Sequence, residues 1–441
     1  MKTPIYDFLK SYRGGGFSRF HMPGHKGIGK LGIESLDITE INGADVLYSP
    51  KGIILESENN ATSLFGSAHS YYSTEGSTLA IKAMLALALR GKKTKKIIAA
   101  RNAHKAFIYA SVLLDFDTVW VGYKEREHIT VSNILPEEII EALSQNPDAA
   151  AVYITSPDYL GNTADIAGIA EVCKTYGKPL LVDNAHGAYL AFLKKNRHPI
   201  TLGAAMACDS AHKTLPVLTG GAYLHISKDF ESFCPFARDM LSLFASTSPS
   251  YLTLASLDLC NAYLDNRYKE KLEKCVKEVG RVKSLLSEMF FAPEESEPLK
   301  IVINTAKYGY RGEEIAAKLT DTGVIPEFYD RDYTVFMATP ENTVNDFRKI
   351  VYVFANLKPK TPLPSLIISP ALPERKMSAK DASFSDSEII YAKDAEGRIL
   401  ASPSVSCPPA VPIAVMGEVL NSDALKMFEY YGIEKVAVVC E

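Results

Sequence analysis

The sequence predicts an α/β protein: a large domain with a mainly parallel sheet, then a small α/β domain, then a C-terminal α+β domain. Three observations carry this. Short apolar runs alternate with amphipathic helical segments over most of the first half of the chain. The stretches between successive runs are long enough for the crossovers that parallel pairing requires. The length, 441 residues, corresponds to about three domains at roughly 150 residues each.

The runs 96–100 (KIIAA), 118–122 (TVWVG), 151–155 (AVYIT) and 179–183 (PLLVD) read as buried strands, because they are apolar at consecutive rather than alternate positions. A helix is expected after Gly76, capped by Ser77 or Thr78, with Ile81, Met84, Leu85 and Leu87 near one face. Pro136 stands at the first position of another helix, PEEIIEALSQN. From about residue 262 one long charged helix, YLDNRYKEKLEKCVKEVGRVKSLLSEMF, leads into the strand KIVINT, a helix from Arg311 to Thr320, and the runs EFYD and YTVFMAT. Five prolines between 359 and 373 exclude a central strand there. The expected partition is therefore an N-terminal segment 1–40, a large domain 41–262, a small domain 263–357, a proline-rich linker 358–374 and a C-terminal domain 375–441.

Composition excludes several classes of function. Hydrophobic residues at 47% and charged residues at 23% suit an ordinary folded chain. Forty-eight Lys and Arg against 52 Asp and Glu leave a net charge of −4, without the basic field that would attract nucleic acid or an anionic membrane. The expected ligand is a small molecule. Seven cysteines, at 173, 208, 234, 260, 275, 407 and 440, form no C-x-x-C pair, so neither a disulfide framework nor a zinc site is expected, and the reducing cytoplasm is the expected compartment. The N-terminus has no apolar secretion core, and AMLALAL at 83–89 is too short to span a bilayer.

Four groups of residues carry chemistry. Lys213, within Ser210-Ala211-His212-Lys213-Thr214, lies between apolar runs, where an ammonium is costly unless paired or used covalently; such a lysine can form a Schiff base with an aldehyde cofactor such as pyridoxal phosphate. A salt-bridged surface lysine is the alternative. Asp183 ends the apolar strand KPLLVD, where ligands of open parallel sheets bind, and could hold a pyridine nitrogen protonated or serve as a turn or helix cap. Gly76, Ser77 and Thr78 open a helix and could cup a phosphate or simply cap. His104 follows the strand KKIIAA and could stack on a flat ring or cap the next helix, while His186 is a supporting neighbour of Asp183. No metal site is expected.

These four groups occur in one chain order, and with the segments HMPGHKG (21–27), DITEINGADVLYSPKGII (37–54), RNAHKA (101–106), SPDYLGNTADIAGIA (156–170), VDNAHGAYLAF (182–192), DSAHKTLPVLTGGAYLHI (209–226), STSPSYLTLASLD (246–258) and CPPAVPIAVMGE (407–418) the chain resembles the Orn/Lys/Arg decarboxylase family over nearly its whole length. The resemblance implies the aspartate-aminotransferase-like fold, fold type I of the pyridoxal-phosphate enzymes, in a short form without a receiver-like N-terminal domain. It implies a Schiff base at Lys213, Asp183 on the pyridine nitrogen and His104 on the ring. Ser77, Thr78, Ser210 and His212 would lie at the phosphate and Ala185 beneath the ring. It also implies a homodimer with interface active sites, to which Thr247 and Ser248 are offered by the neighbouring subunit. The implied reaction is decarboxylation of lysine, arginine or ornithine to the amine, with Lys213 or His104 as proton donor.

Departures from the family wording fall at Glu75, Asn184, Gly220-Gly221 and Cys407–Ala410. They keep open another fold-type-I reaction, such as an aminotransferase using Arg311, an aldolase or a lyase, and also a catalytically idle, regulatory homologue. Glu327, Asp330 and Glu418 are the acids available for the distal charge of a basic substrate, Glu418 being alternatively a helix start. His21, His25 and Lys26 read either as neighbours of the site or as part of a glycine-rich turn.

Overall fold

The computed structural model describes residues 1–122, 128–132, 134–368, 372–403 and 410–440. The first seven strands are β1 (His69–Ser73), β2 (Lys96–Ala100), β3 (Asp117–Val121), β4 (Ala151–Thr155), β5 (Leu180–Asp183), β6 (Met206–Asp209) and β7 (Ala222–Ile226). Their order is β1-β7-β6-β5 among the strands of one compact unit and β4-β2-β3 among those of the other. The four strands expected between residues 96 and 183 are thus present within a residue at each end.

The chain divides into two compact units, Met1–Gly91 with Ile166–Leu272, and Lys92–Asp165 with Glu273–Glu441. In the first, β5 and β6 are parallel with Asp183 opposite Cys208, while β7 is antiparallel both to β6, with Tyr223 opposite Asp209, and to β1, with Ala222 opposite Ser73. Two reversals restore direction, so β1, β5 and β6 all end at the same edge of the sheet. Every residue of β5, β6 and β7 is buried, as strands covered on both faces must be.

The helix Gly76–Leu89 is buried almost all round from Leu79 to Leu89, so the one-sided face expected for it is replaced by a core helix. Its flanking residue is Glu75, without a side-chain cap, and Ser77 and Thr78 belong to its first turn. The long charged helix is two: Tyr251–Asp265 and Tyr268–Glu288. Asn266, at φ −93° and ψ −101°, interrupts them, its N–H bonding back to the Tyr263 carbonyl.

In the second unit β2 pairs in parallel with both β3 and β4. An antiparallel sheet of β8 (Lys300–Asn304), β9 (Phe328–Tyr329) and β10 (Tyr333–Met337) has the order β8-β10-β9, and β11 (Ser387–Tyr391) pairs with β12 (Lys435–Val439). Pro136 opens the helix Pro136–Gln145, and Arg311 is the exposed residue before the helix Gly312–Asp321. Among the described residues no helix is long and apolar enough to cross a membrane, and the six described cysteines are unpaired; Cys407 lies outside the described residues.

Candidate active site

Three turns leave the common edge of the first unit's strands, and each carries part of the expected chemistry. After β1 the chain reaches Gly76 at φ +71°, a conformation that suits glycine, and turns into its helix. The Gly76 N–H donates to the Gly220 carbonyl at 2.7 Å. Gly220 is at φ +95°, and a Cβ there would lie 2.6 Å from the Thr74 carbonyl oxygen, so this approach excludes a side chain. The next carbonyl, Gly221, accepts from both the backbone N–H of His212 at 3.2 Å and its Nδ1 at 3.0 Å. The glycine pair therefore fixes both the helix start and the imidazole of the lysine turn. Ser210 Oγ donates to Ser77 Oγ at 2.8 Å, bringing two hydroxyls to the positive end of the helix.

Asp183 is 2% exposed at the tip of β5. Its Oδ1 accepts from the Ala185 N–H at 3.2 Å and faces Cys208 Sγ at 3.6 Å. Burial, followed by the charge of Asp183, pushes the Cys208 thiol well above its usual range, so it is a neutral donor to the carboxylate. Ala185 is half-buried beside it. Lys213 and His212 are also half-buried, so Lys213 is less enclosed than its apolar flanks suggest. Lys213 Nζ stands 3.0 Å from Nε2 of the buried His186. Hydroxyls at a helix N-terminus, a buried acid at a strand tip and an amine are the chemical types that could hold the phosphate, ring nitrogen and aldehyde of a cofactor such as pyridoxal phosphate.

The other candidates have these partners. His104, in the second unit, ends the turn after β2 and accepts from the Ala106 N–H through Nδ1 at 3.1 Å, capping the helix Lys105–Leu114. Thr247 and Ser248 are exposed. His21 bonds Tyr12 at 2.6 Å and His25 bonds Asp37 at 3.2 Å, and the Lys26 Nζ donates to the His21 carbonyl.

The three acids proposed for a distal charge each serve a partner within the second unit. Glu418, 2% exposed, takes Arg101 at 2.9 and 2.8 Å and is no helix start, since the helix that follows begins at Ser422. Asp330 accepts from His128 Nε2 at 2.6 Å, and Glu327 from the Tyr159 hydroxyl at 2.9 Å.

Sequence reasoning did not single out Gly220 and Gly221 as structural parts of the site, nor Glu75, whose Oε1 accepts from the Ser246 N–H at 2.8 Å. The signal was available in the first case: paired glycines after an apolar run mark close backbone approach.

The sequence profile of the Orn/Lys/Arg decarboxylase major domain matches residues 3–305. The chain belongs to the Orn/Lys/Arg decarboxylase family. It is therefore an amino-acid decarboxylase of a pyridoxal-phosphate-dependent family, specific to the basic amino acids as a class. It is 28% identical to an arginine decarboxylase of Bacillus subtilis over 96% of this chain and 92% of that protein. It is 26% identical to an arginine decarboxylase of Bacillus anthracis over the same shares, 96% and 92%. The fold is that of the Francisella novicida lysine decarboxylase LdcF, with a TM-score of 0.82, 15% identity and coverage of 99% of this chain and 81% of that one. The Escherichia coli constitutive lysine decarboxylase superimposes with a TM-score of 0.76 at 18% identity, over 100% of this chain and 82% of that structure. These likenesses establish the fold-type-I architecture expected of family members.

Proposed function

We propose that this family member decarboxylates arginine in preference to lysine or ornithine, with pyridoxal phosphate held at Lys213. The observation that carries the reading is the convergence of three turns on one sheet edge, with Asp183, the Ser77–Ser210 hydroxyl pair and the Lys213–His186 contact in the same unit. Arginine is preferred because near-full-length relatives named for their substrate are arginine decarboxylases.

Bound pyridoxal phosphate supplies an electron sink for the pair left behind when carbon dioxide departs. The residues of this chain do the rest. Gly76, Ser77, Thr78, Ser210 and His212 would bind the phosphate with backbone and hydroxyl donors and an imidazole. Asp183, kept in place by the Ala185 N–H and the Cys208 thiol, would hold a proton on the ring nitrogen. Ala185 would support one ring face and His104 the other. Lys213 would supply the amine, with His186 Nε2 taking a proton from Nζ when the amine must attack and returning it afterwards. Lys213 or His104 would deliver the final proton to the substrate's α-carbon. A homodimer, with Thr247 and Ser248 reaching the neighbouring subunit's site, agrees with the exposure of that segment.

The test is to load the protein with pyridoxal phosphate, supply arginine, lysine and ornithine separately, and assay carbon dioxide and amine. Arginine should give the highest kcat/KM; release from none of the three would discard the proposal.

A further inference from the structure

Behind the candidate site, in the first unit, lies a charged cluster with no part in the chemistry just described. Asp209, at the tip of β6, is wholly buried. Its Oδ2 accepts from His198 Nε2 at 3.0 Å and His225 Nε2 at 3.2 Å, both imidazoles also being wholly buried. Its Oδ1 accepts from Asn184 Nδ2 at 2.7 Å. The cluster continues outward: His225 Nδ1 meets Ser70 Oγ at 2.7 Å, and Ser70 meets Ser67 Oγ at 2.8 Å. Phe65 packs against both rings, at centroid distances of 5.4 Å from His198 and 4.4 Å from His225.

Two imidazoles and a carboxylate could in principle hold a divalent cation, and their ligand atoms are close enough to do so. The tautomer argues otherwise. His198 Nδ1 accepts from the Ile200 N–H at 3.3 Å, so its proton sits on Nε2, directed at Asp209. An imidazole bound to a metal through Nε2 would instead carry its proton on Nδ1 and donate from there. Burial would push Asp209 toward its neutral form, but the two imidazoles overcome it and hold the carboxyl well below its usual range. Burial also depresses His225, against the attraction of Asp209, so the centre of the cluster is an ionised carboxylate held by imidazole and amide donors.

What the carboxylate holds in turn is Asn184, the residue between Asp183 and Ala185. Asn184 also donates its backbone N–H to the Cys208 carbonyl at 3.0 Å. Asp209 itself is joined by backbone to Ser210, the start of the turn that carries His212 and Lys213. One buried charge thus ties together the two turns whose relative position decides whether a ring nitrogen can meet Asp183 while an aldehyde meets Lys213.

We propose that Asp209, with His198 and His225, is a positioning residue for the cofactor, acting through Asn184 to lock the Asp183 turn against the Lys213 turn. The proposal deepens the reading above and rests on it. It requires Asp209→Asn and Asn184→Ala to weaken the cofactor's affinity and orientation without touching any group that contacts it.

The experiment titrates apo-protein with pyridoxal phosphate, following the visible band of the lysine-bound cofactor and its induced circular dichroism, beside far-ultraviolet circular dichroism and thermal melting. Each variant should raise the dissociation constant by roughly tenfold to a hundredfold, the size of a lost hydrogen bond to a charged group, and reduce the induced signal. The double variant should lose little beyond the larger single loss, because the two side chains act as one link. Should Asp209→Asn fail to fold, Asn184→Ala, which leaves the charged cluster intact, decides alone. Wild-type affinity and signal in the variants, with or without a lower melting temperature, would overturn the proposal. Absence of a lysine-bound band in the wild type would instead overturn the cofactor reading on which it rests.

Discussion

Two lysines in different units of this protein sit at the ends of strands, and they solve the problem of a charge near an apolar core in opposite ways. Lys300, the first residue of β8, is wholly buried. Its Nζ donates to the Asp158 carbonyl at 2.9 Å, stands 3.7 Å from Glu297 Oε1 and lies 5.8 Å from the centre of the Tyr159 ring. Lys213 is only half-buried, and its Nζ stands 3.0 Å from an imidazole nitrogen at the open edge of a sheet. Depth of burial therefore does not mark the amine proposed to react. A cationic end enclosed by a carboxylate, a carbonyl and an aromatic ring is a structural device, whereas the proposal needs an amine beside an imidazole that can exchange a proton with it.

The largest contrast is expected from removing each lysine in turn. Lys213→Ala should take decarboxylation to background and abolish the visible band of bound cofactor, with little change in melting. Lys300→Met should keep the band while costing about 1 to 3 kcal/mol of stability, because Glu297 and the Asp158 carbonyl lose their buried cationic partner. Exchange of these two outcomes would break the comparison.

A second closed pair extends it. Arg101→Ala should destabilise by about 3 kcal/mol or more in urea unfolding, since Glu418 would be stranded in the core. If Glu418 instead recognised the substrate's distal charge, Glu418→Gln would raise KM for arginine and leave the unfolding midpoint unchanged.

The closed region also predicts a pH dependence. Burial raises Glu297 to about 7, from an ordinary value of 4.5, against the pull of Lys300. Between those values the unfolded chain has released the proton and the folded chain keeps it, so the folded state binds more protons and stability falls as pH rises. The loss should begin near the unfolded value, level off above the folded one and reach about 3 kcal/mol at roughly 1.4 kcal/mol per unit. Denaturant midpoints from acid to neutral pH should lose most of this slope in Glu297→Gln.

The smallest effect belongs to the open edge. Gly220→Ala places a Cβ against the Thr74 carbonyl at positive φ, and should cost about 1 to 3 kcal/mol while weakening affinity for the cofactor's phosphate. An unchanged dissociation constant would detach the glycine pair from the site.

The strands between 96 and 183 were legible because fully buried strands read as unbroken apolar runs, and the Asp183 and Lys213 turns because they follow such runs directly. The helix Gly76–Leu89 was legible in position but not in environment: alanine and leucine supply no polar face, and only tertiary packing shows that it is enclosed on all sides. The break at Asn266 was not legible because no proline or glycine marks it and the long segment that follows is rich in the helix formers Lys, Glu and Leu. Asp209, His198 and His225 gave no local signal at all. They come from three separate segments, and their meaning is in the sheet register that sets Asp183 opposite Cys208 and Asp209 opposite Tyr223. The role of Glu418 was hidden for the same reason, its partner lying 317 residues away in sequence.

Which amine holds the cofactor is the most direct question to put to the protein. Borohydride reduction of the pyridoxal-phosphate-loaded protein, followed by peptide mass spectrometry, should place the reduced cofactor on Lys213 alone and leave Lys300 unmodified. A label on any other lysine, or none despite a stoichiometrically bound cofactor, would contradict it.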